Sequence, residues 1–239
     1  HLAAMAGVRD AVKQPDLYVN VDLNGTQNLL DAARAAGNVG NFVMASTSSV
    51  YGNTTRLPFI ETDPCDRPLQ PYAAAKRAAE ILGHTYHYLF GQNFTALRFF
   101  TVYGPNGRPD MMAYLVADSI TKGKQIPLYD GGRMYRNWTY VDDTVAGVAA
   151  ALDRPLGYEI INLGQDQPVL LADFVGMMEE LSGRKANVVA TPRLPADVTS
   201  NEADISKARR LLDYDPRVPV AEGVRRFWEW YRRYDLHES

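Results

Sequence analysis

Tyr72 and Lys76 stand four residues apart in "PYAAAK", so an α-helix here carries a phenol and an ammonium on one face. A free phenol ionises near pH ~10, leaving about one molecule in a thousand as phenolate at neutrality. A nearby ammonium favours the phenolate, each unit of downward shift corresponding to roughly 1.4 kcal/mol. The pair is therefore suited to general-base chemistry. An isolated Tyr-x-x-x-Lys is better explained by a packed tyrosine and a solvated lysine, so the neighbours decide. "ASTSSVYG" closes a short apolar run and places Thr47, Ser48 and Ser49 where the carboxyl end of a parallel strand meets a ligand. "RFFTVYGPNGRPD" brings Thr101 and Arg108 to the same edge, and "YRNWTYVDD" adds Arg136, a possible phosphate clamp. Each has a plain alternative: the serines cap a loop, Arg108 lies on the surface, Arg136 pairs with Asp142 or Asp143. Strand, hydroxyl loop, Tyr-Lys helix, strand and arginine loop in that order favour a site.

The elements that would position these groups alternate along the chain, which argues for an α/β fold. "TQNLLDAARAAG" has helical apolar spacing and a closing Gly37, and "NFVMAS" reads as a buried strand. "PYAAAKRAAEILGHTYHYLF" is a long helix with Pro71 in its first turn and Gly91 after it. "TALRFFTVYG" reads as one strand, followed by loops or short hairpins in "GPNGRPD" and "YDGGRMYRN". A helix over "VDDTVAGVAAALD", a strand over "YEIINLG" and a helix over "LLADFVGMMEELSG" come next, and two helices near 206–212 and 220–234 close the chain.

The 239 residues are 46% hydrophobic and 22% charged, as expected of a globular protein with a sizeable core. A net charge of -3 offers no basic footprint for nucleic acid. No apolar run approaches a membrane span, and Cys65 is the single cysteine, so the chain has no internal disulfide. The cytoplasm is the expected compartment. His84 and His87 have a spacing that could bind metal, but no third ligand is evident, and no metal is expected.

"HLAAMAGVR", "ASTSSVYG", "PYAAAK", "LRFFTVYGPNGRPDM" and "YRNWTYVDD" together resemble the extended short-chain dehydrogenase/reductases, the NAD-dependent epimerases and dehydratases, and among them the UDP-glucuronate 4-epimerases. The resemblance implies a Rossmann-like parallel sheet with a smaller C-terminal α/β substrate lobe. Residues 1–104, with 140–163 returning, would form the NAD-binding domain, and 105–139 with 164–239 the nucleotide-sugar lobe. It further implies a catalytic Thr47, Tyr72 and Lys76. NAD would meet Leu2, Ala3, Ala4, Tyr72 and Lys76. The UDP-sugar would meet Arg9, Ser48, Ser49, Thr101, Arg108, Arg136 and Asp197. The reaction implied is oxidation at C4 of UDP-glucuronate or UDP-galacturonate and return of the hydride to the other face. The Thr-Ser-Ser loop lacks the carboxylates of the family's dehydratases, and a homodimer through the helices around "TQNLLDAARAAG" and "KRAAEILGHTYHYLF" is implied as well. A UDP-glucose/galactose 4-epimerase is the enzyme alternative.

Three departures accompany the resemblance. Asp22 stands where the family usually has Asn, near the cofactor, and Asn137 replaces a common Asp after the phosphate arginine. No glycine-rich turn occurs, and a βαβ unit takes about 30 or more residues, so roughly 70 or more residues are expected to precede His1. The sheet is then N-terminally truncated, and these 239 residues are expected to show no measurable epimerase activity and to carry no NAD through purification. An inactive chain keeping only a sugar-nucleotide cleft is the non-enzyme alternative.

Overall fold

Strand, loop and helix succeed one another as the punctuation residues dictate, in a computed structural model that describes residues 1–192 and 200–236. The first elements are α1 (Val8–Lys13), α2 (Pro15–Tyr18), a π-helical stretch (Val19–Asn24) and α3 (Gly25–Ala36). Next come β1 (Phe42–Thr47), a 3-10 turn (Ser48–Tyr51), α4 (Pro71–Phe90), β2 (Phe94–Phe99) and β3 (Thr101–Tyr103). Then follow α5 (Met112–Lys122), β4 (Ile126–Tyr129), β5 (Tyr135–Arg136), β6 (Trp138–Tyr140), α6 (Val141–Leu152) and β7 (Tyr158–Leu163). The last are β8 (Val169–Leu170), α7 (Leu171–Ser182), β9 (Val188–Thr191), α8 (Ser206–Leu212) and α9 (Val220–Tyr234).

β1, β2 and β7 form a parallel sheet in that order, with Thr47, Phe99 and Leu163 level at its carboxyl edge. Period-2 alternation sends Phe42, Met44, Phe94 and Ala96 to one face, where Leu30 of α3 and Ala79 and Tyr86 of α4 cover them. Val43, Leu97, Ile161 and Leu163 meet Ala151 of α6 and Ala208 and Leu212 of α8 on the other. Both faces are buried, as parallel sheets require.

α4 starts where the sequence indicates. Gln70 caps it, its Oε1 accepting from the Ala73 amide at 3.2 Å, and Pro71 occupies the first turn. Gly91 ends it in the left-handed region at φ 66°. Along α4, Gly83 lies flat on Phe94: a Cβ there would stand 2.4 Å from the ring. No larger residue fits without moving the helix off the sheet.

A second packing unit is built on aromatic rings. Trp138 stacks on Phe174 at 3.8 Å, and Tyr103 meets both edge-on. Val116, Ala117 and Ile120 of α5, Met178 of α7 and Phe227 and Tyr231 of α9 complete this core.

One expectation changes, and one helix is added. The run read as one strand from Thr95 to Gly104 breaks at Phe100, because β2 pairs within the main sheet whereas β3 pairs with β6 in parallel. α5 stands between the two stretches read as loops or short hairpins; Ala113, Val116, Ala117 and Ile120 are its buried stripe and Gly123 its left-handed stop.

Candidate active site

β1 delivers Thr47 to the carboxyl edge of the sheet, and the chain turns there at once. The Thr47 Oγ1 accepts from the Ser49 amide at 3.1 Å, capping the 3-10 turn that displays Ser48 and Ser49. The first turn of α4 brings Tyr72 and, one turn later, Lys76 to the same place. These residues line one cleft of about 540 Å³ with Leu2, Ala4, Thr101, Arg108 and Arg136. The separate stretches singled out in the sequence thus converge on one cavity. Ala3 is not among its lining residues. Asp197 and the Arg9 side chain lie outside the described residues.

Lys76 is 2% exposed and makes no hydrogen bond or ion pair among the described residues. Burial lowers its pKa, opposed at longer range by the Asp22 and Glu80 carboxylates. Tyr72, half-buried, packs edge-on against Tyr18 with ring centroids 6.1 Å apart. Its phenol is pushed up by burial, with the Thr47 side chain opposing the shift and Asp22 adding to it. This reverses the direction expected of a phenol beside an ammonium. Desolvation of the phenolate outweighs any neighbouring positive charge in the protein alone.

Asp22, fully buried on the π-helical stretch, accepts from the Met5 amide at 2.7 Å through Oδ1. Its Oδ2 is buried without a partner, and burial raises its pKa. Asn137 has a use for its amide that an aspartate lacks: Nδ2 donates to the Gln165 carbonyl while Oδ1 accepts from the Gln165 amide at 2.5 Å. The substitution seen in the sequence is therefore structurally satisfied. Arg108 holds Asp110 with two bonds, Nε–Oδ1 at 3.0 Å and Nη2–Oδ2 at 2.9 Å, and its Nη1 donates to the Ala6 carbonyl at 2.7 Å. Arg136 donates to the Tyr135 carbonyl at 2.8 Å beside the cleft.

Beneath the cleft lies a buried ionic network. Glu80, one turn beyond Lys76, receives Arg98 Nε at 3.0 Å and Nη2 at 2.8 Å, Ser46 Oγ at 2.5 Å and Arg77 at 3.1 Å. The Arg98 guanidinium lies over the Tyr51 ring at 4.7 Å, and the Tyr51 hydroxyl donates to Asn162 at 2.7 Å. Sequence reasoning missed this network, and it missed two cleft residues, Gln70 and Asn201. Gln70 had a signal, since it precedes a Pro-started helix. Asn201 had none, because its partner Ser48 lies 153 positions away in the chain.

Residues 1–164 match the model of the NAD dependent epimerase/dehydratase family. The chain belongs to that family. It is 43% identical to a UDP-glucuronate 4-epimerase of Thermodesulfobacterium geofontis over 96% of this chain and 71% of that one. Among solved structures it resembles MoeE5 in complex with UDP-glucuronic acid and NAD, at TM-score 0.93 and 35% identity, over 98% of this chain and 78% of that one. It also resembles the UDP-glucuronic acid 4-epimerase of Bacillus cereus in complex with UDP-glucuronic acid and NAD, at TM-score 0.88 and 33% identity, over 97% and 74% of the two chains.

The residues present fit the nicotinamide-ribose end of NAD. A buried ammonium without a partner faces the cleft, and ammonium hydrogens suit a ribose diol. The small side chain of Ala4 lets a ligand approach along the cleft wall.

Proposed function

We propose that this protein epimerises a UDP-sugar at C4 with NAD, the substrate pair being UDP-glucuronate and UDP-galacturonate. When bound, NAD would supply the acceptor for a hydride from C4 and its source on return. The chain's own residues manage the proton and the geometry. Tyr72 takes the proton of the 4-hydroxyl and later gives it back, Thr47 holds the 4-oxygen, and Lys76 supplies positive charge to the phenolate once the cleft is filled. Burial favours the protonated phenol, so the step that takes the proton needs positive charge added in the cleft. Leu2 and Ala4, which line the cleft, would stand beside the cofactor, with Ala3 between them in the chain but outside the lining.

The observation that carries this reading is the convergence of Thr47, Tyr72 and an unpartnered Lys76 in one cleft, in a chain whose relatives include UDP-glucuronate 4-epimerases. Ser48, Ser49, Thr101 and Arg108 would receive the sugar carboxylate, with Arg108 exchanging Asp110 for it. Arg9, Arg136 and Asp197 would hold the nucleotide end. The Thr-Ser-Ser loop brings no carboxylate near C5 and C6, so the groups for elimination are absent from it.

The sheet-based unit is read as the NAD-binding domain (1–104 with 140–163) and the aromatic unit as the sugar-nucleotide lobe (105–139 with 164–239). Leu29 on α3 and Ile81, Tyr88, Leu89 and Phe90 on α4 are exposed and apolar, which supports a homodimer through these two helices. Cys65 is buried, its thiol pushed up to about 12 by burial, and an inert thiol accords with a cytoplasmic setting.

The test is a coupled assay of UDP-glucuronate and UDP-glucose epimerisation in excess NAD on the full-length gene product. Tyr72→Phe is expected to lower turnover at least about 100-fold. Retained turnover would remove Tyr72 from the mechanism, and a preference for UDP-glucose would select the neutral-sugar reading.

A further inference from the structure

Ser48 Oγ accepts a hydrogen bond from Asn201 Nδ2 at 3.1 Å, and both residues line the cleft with 8% exposure. A hydroxyl has one proton and two lone pairs. When a neighbour occupies a lone pair, the proton is left for another direction, and here the other open direction is the cleft. The segment carrying Asn201 is fixed from behind. Phe59 donates its amide to the Glu202 carbonyl at 2.8 Å, and the Asp204 amide donates to the Phe59 carbonyl at 3.0 Å, a parallel bridge that anchors residues 202–204. The Asn201 Oδ1 is buried with no partner among the described residues, so the bond from Nδ2 to Ser48 is the one its amide makes there.

We propose that Asn201 is a positioning residue for substrate choice: by donating to Ser48 it turns the Ser48 hydroxyl into the cleft as a donor, and so favours a sugar that carries a carboxylate at C5. The proposal rests on the uronate reading given above. A carboxylate only accepts hydrogen bonds, so it gains from a hydroxyl whose proton is already aimed at it. A CH2OH group both donates and accepts, and is served by either orientation. Asn201 thus discriminates between the two without touching the sugar.

Asn201→Asp tests this on the full-length protein, because an isosteric carboxylate can only accept. Ser48 must then donate to residue 201 and is withdrawn from the substrate. The ratio of kcat/KM for UDP-glucuronate over UDP-glucose is expected to fall by about ten-fold or more, the size of one charge-assisted hydrogen bond. A cycle of Asn201→Ala and Ser48→Ala gives a second readout: the Asn201→Ala loss of that ratio should vanish in the Ser48→Ala background, since the effect passes through Ser48. If Asn201→Asp fails to fold, the cycle decides. An unchanged ratio in Asn201→Asp, or additive losses in the cycle, overturns the proposal. A wild-type protein that prefers UDP-glucose is a different result, which overturns the uronate reading and this inference with it.

Discussion

The two packing units that border the cleft are stabilised in opposite ways. Under the parallel sheet, Glu80 and Arg98 are fully buried ions that hold each other, Ser46 and Arg77. In the second unit the same depth is filled by rings, with Trp138 on Phe174 and Phe227 near Tyr114 and Tyr231. A buried ion pair stabilises little compared with well-packed apolar groups of the same size, because its desolvation offsets its attraction. A role in the chemistry proposed above it is therefore open to test. The Glu80 carboxylate raises the Lys76 pKa against the effect of burial, whereas the aromatic unit needs only to hold a shape.

The largest effects should come from breaking each core. Arg98→Met leaves Glu80 buried and short of its main partner, at an expected cost of about 3–5 kcal/mol in denaturant unfolding. Phe174→Ala is expected to cost about 3–5 kcal/mol as well, by opening a cavity beside Trp138. The contrast lies in repair. Glu80→Leu with Arg98→Met should recover most of the stability, since both ions are gone, and yet turnover should stay low. Recovery of turnover along with stability would reduce the network to a structural role.

A smaller effect is expected at the mouth of the cleft, where the ions are exposed and exchangeable. Arg108→Ala should cost about 1.5–3 kcal/mol in kcat/KM for UDP-glucuronate and less for UDP-glucose. Asp110→Asn, which removes the resting competitor for that guanidinium, should move the uronate preference the other way. Equal changes on both sugars would assign Arg108 to the loop and not to the carboxylate.

The smallest effect concerns Asp22. Burial raises its pKa in the folded protein above the unfolded value. Such a carboxyl leaves stability unaffected below the unfolded pKa and weakens the fold as pH rises from there through the folded pKa. Asp22→Asn keeps an acceptor for the Met5 amide and removes the titration. The variant should melt at a higher temperature than the parent at pH 7, with the gap closing toward pH 4. A constant gap across that range would mean that charge is not the cause.

The sequence was most legible where punctuation is local. Pro71 and Gly91 bound α4, and the structure ends the helix at those residues. The break at Phe100 was not legible, because it depends on β3 choosing β6 as a partner, and that choice is made between distant segments. In the site, Tyr72 and Lys76 could be read together from their helical spacing, and Thr47 joined them through the family resemblance. Glu80 sits one turn past Lys76, but its role needs Arg98 from the next strand. The direction of the Tyr72 shift was misread for a related reason: spacing gives the neighbour, while burial depends on everything that packs around it.

Gly83 couples the chemistry to a distance. At that glycine the helix is seated directly on Phe94, three turns along α4 from Tyr72. α4 behaves as a beam resting on that point, and an added methyl group there acts as a wedge, lifting one end and tilting the other. The alignment proposed for Tyr72 and Thr47 would thus be sensitive to a residue with no side chain, and a search for function-altering substitutions confined to the cleft would pass over it.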